Sequence, residues 1–462
     1  MQEKKIAIIG AGISGLSLAF WLRKYHYNVK IFERGDRVGG SIRTERNAGF
    51  LIDLGPNSTL ETSPLIGQLI QEIGLNASKC YANDISNNRY ILRAGYLHAL
   101  PMNPQKFLAT KLFSFSAKLR LLKEPFVKKS TDPEITLADF VRYRLGNEFL
   151  DFAINPFVAG VYAGDPEALS TAAAFPKLFA LEQKYGSLIK GQIKGARERR
   201  KRKEVSKDRA RLFSFTDGMA QSTDKLGEIL IKYISINNAV EEISPITGGF
   251  RIRCEKVVDH DIYNAVIITT PTSVTAGMIP RLTKGQKEIL ASVTYAPVAV
   301  IFMGFKAVDV KRPLDGFGFL VPKVENREIL GSIWSSSLFP GRAPEGHVAL
   351  TTFVGGMRQP DLVQKSDREL ASLVTKELRA LVGVTGDPVV VRINKWPRAI
   401  PQYTKGYTGV QRLFDEMEQE YPGLFFSGNF RRGISVGDCI ISADKTVNDV
   451  RRYFGEREND AY

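Results

Sequence analysis

A short glycine pattern directly after the first apolar run constrains the fold of this chain most strongly. Residues 6–9, IAII, form an unbroken apolar run, as expected for a strand buried on both faces of a parallel sheet. The glycines that follow with G-x-G-x-x-G spacing are Gly10, Gly12 and Gly15. This spacing permits a tight turn, close approach of the backbone to a phosphate, and a helix packed closely on the strand. The sequence therefore predicts a helix that starts near Ile13 and Ser14 and faces a bound pyrophosphate.

The next predicted strand, residues 28–33, ends in an acidic residue, as in strands that follow a dinucleotide-binding glycine motif. Glu33, followed by Arg34, falls where a carboxylate can accept hydrogen bonds from an adenosine ribose. A carboxylate there disfavours a 2′-phosphate. We therefore expect a dinucleotide other than NADP.

A second glycine-rich segment distinguishes between the remaining dinucleotides. Its residues are Arg37, Gly39, Gly40, Ser41, Arg43, Gly49, Asp53, Gly55 and Pro56. Here the chain resembles the superfamily of flavin-dependent amine oxidases and protoporphyrinogen oxidases. In that superfamily the segment lies along the pyrophosphate and ribityl chain, so the resemblance implies FAD. The cysteine that bonds the flavin covalently in amine oxidases has no counterpart here, which implies noncovalent binding.

The C-terminal part of the chain repeats the combination of glycines and a helix start. Gly433 and Gly437 precede or open a helix predicted over 436–454, whose amides suit electron-rich oxygens. The resemblance places this segment at the isoalloxazine and ribityl chain. It assigns cofactor contacts to Val240, Thr269, Pro271, Trp396, Gly428, Ser435, Val436 and Gly437. An ordinary sheet strand explains Val240 and Thr269 equally well.

Further segments make the resemblance specific for protoporphyrinogen oxidases, particularly those related to the plant enzymes. They are residues 88–91, 155–166, 181–191, 316–322, 335–344, 351–356 and 421–429. By this resemblance Arg89 binds a substrate propionate, for which a guanidinium is suited by its bidentate geometry. The positions that sandwich the macrocycle or lie near the active centre are Leu320, Ile333, Phe353 and Asn57. Taken singly, each of the three apolar residues fits a protein core as well as a binding site.

The resemblance implies oxidation of protoporphyrinogen IX to protoporphyrin IX in haem biosynthesis. A hydride passes to flavin N5, and oxygen reoxidises the flavin to yield peroxide. Coproporphyrinogen III oxidation, another flavin amine oxidase activity, and a noncatalytic module like Rab GDP-dissociation inhibitors are the alternatives. Coproporphyrinogen III has four propionates, so its binding would require further cations around the site. A noncatalytic module would bind no flavin and would be colourless.

The order of predicted elements indicates an α/β protein with three parts. We expect a discontinuous Rossmann-like FAD domain of the amine-oxidase type, formed by residues 1–82, 223–280 and 408–462. Strands at 297–305, 348–354 and 388–396, with a helix over 366–382, suggest a mixed-sheet substrate domain, given as residues 195–222 and 281–407. The resemblance implies an inserted α-helical, membrane-associated domain over 83–194.

Residues 105–129 combine seven basic residues with many apolar ones. They fit either a core helix with snorkelling lysines or a segment lying on an anionic bilayer. The run 190–211 has eleven basic residues against three acids, more than half of the net charge of +15. A solvated loop or an anionic partner explains it, and nucleic acid is not expected because nucleic-acid-binding folds are not apparent.

The cysteine content, the lengths of the apolar stretches and the position of the first strand predict the cellular location. The three cysteines are scattered, so neither a disulfide framework nor a cysteine metal site is expected. No stretch is apolar and long enough for a transmembrane helix, and the first strand begins too early for a signal peptide. We expect a cytoplasmic protein associated peripherally with membranes. Its expected partners are a porphyrinogen, oxygen, an anionic membrane surface, a haem-pathway enzyme and a second copy of the chain.

Overall fold

The computed structural model describes residues 4–202, 210–257 and 259–456, without the side chains of 196–202. Its central sheet is entirely parallel. In order across the sheet, the strands are β10 (Ile234–Ser235), β2 (Asn28–Phe32), β1 (Lys5–Ile9), β14 (Ala265–Ile268) and β20 (Leu424–Phe426). Strands β1 and β14 are almost wholly buried, as their unbroken apolar runs predict.

Alternate residues of β1 face two different layers, because side chains alternate along a strand. Ile6 and Ile8 belong to a core with helices α1 (Ile13–Lys24), α2 (Pro64–Glu72), α11 (Ala220–Leu230) and α17 (Val436–Tyr453). Ala7 and Ile9 belong to the core on the other face. That core includes β11 (Val240–Ile246), β12 (Gly249–Cys254), β13 (Ile262–Tyr263), α12 (Thr272–Met278), α13 (Lys284–Ser292) and α16 (Tyr407–Glu420). The predicted Rossmann-like arrangement, a parallel sheet covered on both faces, is therefore confirmed.

A second, mixed sheet has seven strands. In order they are β19 (Val390–Pro401), β15 (Tyr295–Lys306), β18 (His347–Gly355), β17 (Gly331–Ile333), β16 (Gly318–Leu320), β7 (Arg89–Arg93) and β8 (Tyr96–Ala99). Helix α15 (Asp367–Val382) covers one face with apolar residues spaced by three or four, among them Leu370, Val374 and Leu378. The short helix α14 (Ser335–Leu338) follows β17. The strands and helix predicted for this region are therefore present.

The hairpin β7–β8 corrects one predicted domain boundary. Residues 83–194 were expected to form the helical domain, yet β7 pairs with β16 and completes the seven-stranded sheet. The boundary at residue 83 is wrong for this hairpin, because register with a distant strand leaves no local mark in the sequence. The other boundaries stay predictions.

Helices dominate between the hairpin and residue 202. They are α3 (Pro104–Ala109), α4 (Phe115–Leu122), α5 (Leu137–Arg144), α6 (Asn147–Phe149), α7 (Asn155–Tyr162), α8 (Thr171–Ala174), α9 (Pro176–Tyr185) and α10 (Leu188–Arg202). One helix over 136–150, ending before Asn155, is the sequence prediction, and it is wrong. Helix α5 ends near Gly146, whose φ is 95°, and a π-helical turn, Leu150–Ile154, continues directly into α7. Pro156 directly follows the π-helical turn, and both features are associated with departures from the regular α-helical hydrogen-bond ladder.

Three small sheets complete the described fold, and one of them is formed by β11, β12 and β13. The second is the hairpin β3 (Thr44–Asn47) and β4 (Phe50–Asp53), and the third joins β5 (Thr59–Leu60), β9 (Leu212–Phe215) and β6 (Lys79–Tyr81). Most of the basic run over 190–211 cannot be compared with its prediction, because residues 203–209 and the side chains of 196–202 are outside the described part of the chain. Across the described part of the chain, the helices lack the combination of length and apolar character needed to cross a bilayer. The three cysteines are free thiols.

Candidate cofactor and substrate site

The turn between β1 and α1 leaves open space in front of a helix N-terminus. Gly10 has a φ of 107°, in the region that favours glycine. A Cβ added to Gly12 would meet no described atom within 4 Å. No described side chain caps the N-terminus of α1. Uncapped amides and the positive end of the helix dipole therefore border a space that suits a pyrophosphate.

Gly15 serves close packing instead. A Cβ at Gly15 would lie 1.9 Å from the carbonyl oxygen of Gly10. Helix α1 can lie this close to the strand end only if this residue is glycine. This is the structural role that the pattern predicts for its third glycine.

Glu33 follows β2 and lies beside the same turn. Its carboxylate accepts hydrogen bonds from the backbone N–H groups of Ala11 and Gly35, each at 2.8 Å. Carboxylate oxygens can accept more than one bond each, so capacity remains for ribose hydroxyls. Arg34 is exposed next to it.

Two further predicted cofactor segments lie against the glycine turn. The N–H of Gly39 donates to the carbonyl of Ala11 at 2.8 Å, and a Cβ on Gly40 would lie 3.3 Å from the Gly12 Cα. The two segments also contact each other. A Cβ on Gly55 would lie 2.0 Å from the Ser41 carbonyl oxygen, and Leu54 N–H donates to the Arg43 carbonyl at 2.8 Å. Residues 39–43 and 54–57, which include Pro56, are thus brought together with Gly12.

The arginines of this region divide into two kinds. The guanidinium of Arg37 donates to the carbonyls of Val38, Gly40 and Ile42. It therefore shapes the loop that carries the glycines. Arg43 is exposed.

The N-terminus of α17 meets the N-terminus of α1. Ser435 caps α17, and its side chain accepts a hydrogen bond from Asp438 N–H at 3.1 Å. Cys439, in the first turn of α17, is buried, and burial raises the pKa of its thiol to about 12, an effect that the nearby Ser14 side chain opposes. Gly428 and Gly433, in the preceding loop, both have a φ of 129°. Two helix N-termini thus converge where the sequence predicts the two halves of one cofactor.

The remaining predicted cofactor residues lie around these helices, and the structure shows what each one contacts or which element it begins. Gly437 packs closely, since a Cβ there would lie 2.9 Å from the Ile66 Cδ1 atom. The Thr269 hydroxyl donates to the Ile9 carbonyl at 2.7 Å, which ties β14 to the end of β1. Pro271 precedes α12, and the half-buried Val240 opens β11. Val436, also half-buried, begins α17.

The seven-stranded sheet brings the predicted substrate residues onto one face. Arg89 pairs with Gly318, which pairs with Ile333. Leu320, two residues after Gly318, pairs with Gly331, which pairs with Phe353. Paired residues, and residues two apart along a strand, share a face. Arg89, Ile333, Leu320 and Phe353 therefore lie on the face opposite to α15.

The same face continues to Trp396. Trp396 pairs with Val298, which lies two residues before the Phe353 partner Val300. Its indole N–H donates to the Leu54 carbonyl at 2.7 Å, so this end of the face contacts the 54–57 segment. Helix α7 bounds the face at Leu320, because a Cβ on Gly160 would lie 2.7 Å from the Leu320 Cδ2 atom.

Arg89 occupies an unusual position for a cation. Its guanidinium lies 5.3 Å from the centre of the Phe317 ring, and no described carboxylate forms an ion pair with it. The residue is exposed to solvent on one side, but the protein around it removes part of its water and lowers the pKa of Arg89, since no described anion compensates. A carboxylate ligand would supply that compensation.

Asn57 lies beside a buried ion pair, Asp53 with Arg342, which the sequence analysis does not predict. Its Nδ2 donates to the Asp53 carbonyl at 3.3 Å, and Asp53 pairs with Arg342, also at 3.3 Å. Burial raises the pKa of Asp53, although Arg342 and hydrogen bonds oppose this. A cavity of about 10 Å³ touches Asn57, Ile333 and this pair. The two partners are far apart in the sequence, so no local pattern reveals their pairing.

These features define a class of protein. Residues 13–451 match the model of the family described as flavin containing amine oxidoreductase, and the chain belongs to that family. Family membership confirms the predicted cofactor, FAD, and the predicted class, an FAD-dependent oxidoreductase. Which residues contact FAD stays a prediction.

Individual relatives narrow the comparison. The chain is 35% identical to protoporphyrinogen oxidase 2, chloroplastic/mitochondrial, of Arabidopsis thaliana, with 100% of this chain and 96% of that protein covered. It is 30% identical to coproporphyrinogen III oxidase of Staphylococcus aureus, with 97% and 99% covered. A crystal structure from Exiguobacterium sp., provisionally named protoporphyrinogen oxidase, has a TM-score of 0.80 at 27% identity and covers 98% of this chain and 99% of its own.

Proposed function

We propose that this protein uses noncovalently bound FAD to oxidise protoporphyrinogen IX to protoporphyrin IX. The observation that carries the proposal is the shared sheet face of Arg89, Leu320, Ile333 and Phe353. A porphyrinogen is a broad, mostly apolar macrocycle with propionates along one edge. This face offers apolar side chains in its middle and a cation without an ionic partner at β7. The names of the plant relatives support the same substrate.

The residues around the two helix N-termini fit FAD. The open space at Gly12, with Glu33 beside it, would hold the ADP half, and residues 39–43 and 54–57 would follow the pyrophosphate and ribityl chain. The loop from Gly428 to Gly437 would border the isoalloxazine ring. A flavin held there would supply a hydride acceptor, with molecular oxygen as the proposed final acceptor and peroxide as the by-product.

The side chains of this protein would contribute binding and orientation. Arg89 would fix a propionate by two parallel hydrogen bonds, and Phe353 with Leu320 would pack against the macrocycle. The apolar face would exclude water from the reacting carbon. Orientation and the chemistry of the cofactor, rather than a protein base, would then account for the rate.

The bacterial relatives favour a second candidate, oxidation of coproporphyrinogen III. That substrate carries four propionates, so its binding would require cations at more than one edge. Rates for both purified porphyrinogens, measured side by side, decide between the two. We expect protoporphyrinogen IX to be oxidised faster, and a preference for coproporphyrinogen III would favour the alternative.

We further propose that helices α3 and α4 rest on an anionic bilayer. The exposed apolar residues of these helices and of the adjoining 3-10 turn are Leu108, Phe115, Leu119, Leu122 and Phe126. Exposed lysines lie among them at positions 106, 111 and 123, whereas the Lys118 ammonium donates to the Leu108 and Thr110 carbonyls. Basic residues meet anionic headgroups while apolar side chains enter the interface, which supports a peripheral membrane surface.

The proposed reaction is tested directly with the purified protein. We expect a yellow protein that produces porphyrin fluorescence from protoporphyrinogen IX in air, faster than spontaneous oxidation. A flavin-loaded sample without such an increase would contradict the proposal. A protein that stays colourless when supplied with FAD would instead support a noncatalytic binding module.

A further inference from the structure

Tyr403 lies where three parts of the fold meet. It follows β19 of the seven-stranded sheet by two residues and is 4% exposed. Its carbonyl accepts a hydrogen bond from the N–H of Ser170, in the helical segment, at 2.9 Å. Its side chain extends toward the loop that precedes α17. The residue therefore connects the predicted substrate sheet and helical segment to the predicted flavin loop.

The hydroxyl of Tyr403 closes this loop. It donates to the Asn429 carbonyl at 2.5 Å and accepts from the Gly433 N–H at 3.0 Å. The ring stacks on Tyr407, with centroids 4.3 Å apart, and the Tyr407 hydroxyl donates to the Phe430 carbonyl at 2.6 Å. One hydroxyl thus spans residues 429–433, directly before the N-terminus of α17.

We propose that Tyr403 is a positioning residue that sets the geometry of the flavin loop through its hydroxyl. This inference rests on the proposed binding of FAD at the loop. Amides at the N-terminus of α17 favour negative charge, and negative charge increases when a flavin is reduced. If the loop loses its connection to Tyr403, these amides should stabilise the reduced flavin less. The reduction potential of the bound flavin should then become more negative.

Tyr403→Phe tests this, because it removes two hydrogen bonds and keeps the stacked ring. Both lost bonds hold the loop rather than FAD itself, so only part of their contribution should appear in affinity, and we expect roughly tenfold weaker FAD binding. We also expect a more negative flavin potential and a changed visible spectrum.

Tyr162→Phe is the matched control. Its buried hydroxyl donates to the Ala174 carbonyl outside the loop, and its ring lies 6.4 Å from that of Tyr403.

We expect the control to keep the wild-type potential and FAD affinity. Wild-type potential and affinity in Tyr403→Phe, with only a lower melting temperature, would overturn the proposal. If Tyr403→Phe does not fold, Tyr407→Phe removes the neighbouring bond to the loop and should shift the potential in the same direction. An unshifted potential there would count equally against the proposal. Failure of the wild-type protein to bind FAD would instead refute the proposed function.

Discussion

Among single residues, Arg89 shows most clearly how a side chain can be prepared for a ligand. Arg89 is exposed on one side, yet neighbouring protein such as Phe317 removes part of its water, and no described carboxylate pairs with it. Unpaired charge that is partly desolvated is unfavourable for the free protein. Binding of a propionate would offset this cost, so the arrangement favours a substrate acid over neutral molecules of the same shape.

Arg89→Ala should weaken substrate binding without loss of the cofactor. A charge-assisted hydrogen bond contributes about 1.5–3 kcal/mol, so we expect KM to increase roughly tenfold to a hundredfold. Arg89→Lys should recover part of this, because it restores charge but not the bidentate geometry. Steady-state kinetics and the flavin spectrum of each variant check the prediction. Loss of flavin from Arg89→Ala would contradict it.

Gly12 and Gly15 should respond differently to the same added methyl group. Gly12→Ala should fold normally, since its Cβ meets no described atom within 4 Å, but should bind FAD at least tenfold more weakly. Gly15→Ala should lower the melting temperature even without FAD, because its Cβ would collide with the Gly10 carbonyl oxygen. Thermal unfolding with and without FAD separates the two effects. Equal behaviour of the two variants would refute our assignment of their roles.

At the scale of elements, a buried carboxylate organises the helical segment. Glu124 accepts hydrogen bonds from the N–H groups of Leu188 and Ile189 at the start of α10, and pairs with the buried Arg144 at 2.6 Å. Burial alone would raise its pKa, but hydrogen bonds from Ser187, α10 and Arg144 outweigh burial and lower it. The start of α10 is therefore held by a charge.

This arrangement predicts a pH-dependent loss of stability. A carboxyl group with a lowered folded-state pKa stabilises the fold above its ordinary pKa of 4.5, and the effect is lost as pH falls through the folded-state value. Glu124→Gln should therefore cost about 2 kcal/mol near neutral pH and progressively less below pH 4.5. Melting temperatures across this range check it, with the exposed Glu167→Gln as the control. If the melting temperature of Glu124→Gln stays equally far below that of the wild-type protein in acid, the charge does not have this role.

Local patterns predicted most elements correctly, whereas relations between distant elements were not predictable. Strand β1, helix α1 and strand β2 follow from turn chemistry and periodicity within about 30 residues. The Asn155–Pro156 pair suggests a helix end, yet the π-helical turn before it continues into α7. Nothing near Tyr403 in the sequence indicates that its hydroxyl closes a distant loop. Resemblance supplied the predicted substrate residues, and only strand register shows that they share one face.

At the scale of the whole molecule, exposed apolar side chains concentrate on α3, α4 and the turn that follows. Phe126 is 85% exposed there. Phe126→Glu combined with Leu122→Glu should reduce binding to anionic vesicles roughly tenfold or more, because each buried side chain contributes about 1.5–3 kcal/mol. Val308→Glu is the control, since Val308 is 88% exposed on a different turn. Unchanged sedimentation of the double variant with vesicles would contradict a membrane role for this surface.

The central claim is that porphyrinogen and flavin meet on the face shared by Arg89 and Phe353. The most direct test mixes flavin-loaded protein with protoporphyrinogen IX in the absence of oxygen and follows the visible absorbance of the flavin. We predict rapid bleaching in the wild-type protein, bleaching in Arg89→Ala only at higher substrate concentrations, and recovery of the yellow colour when air is admitted. A wild-type flavin that stays oxidised with excess protoporphyrinogen IX would contradict the account.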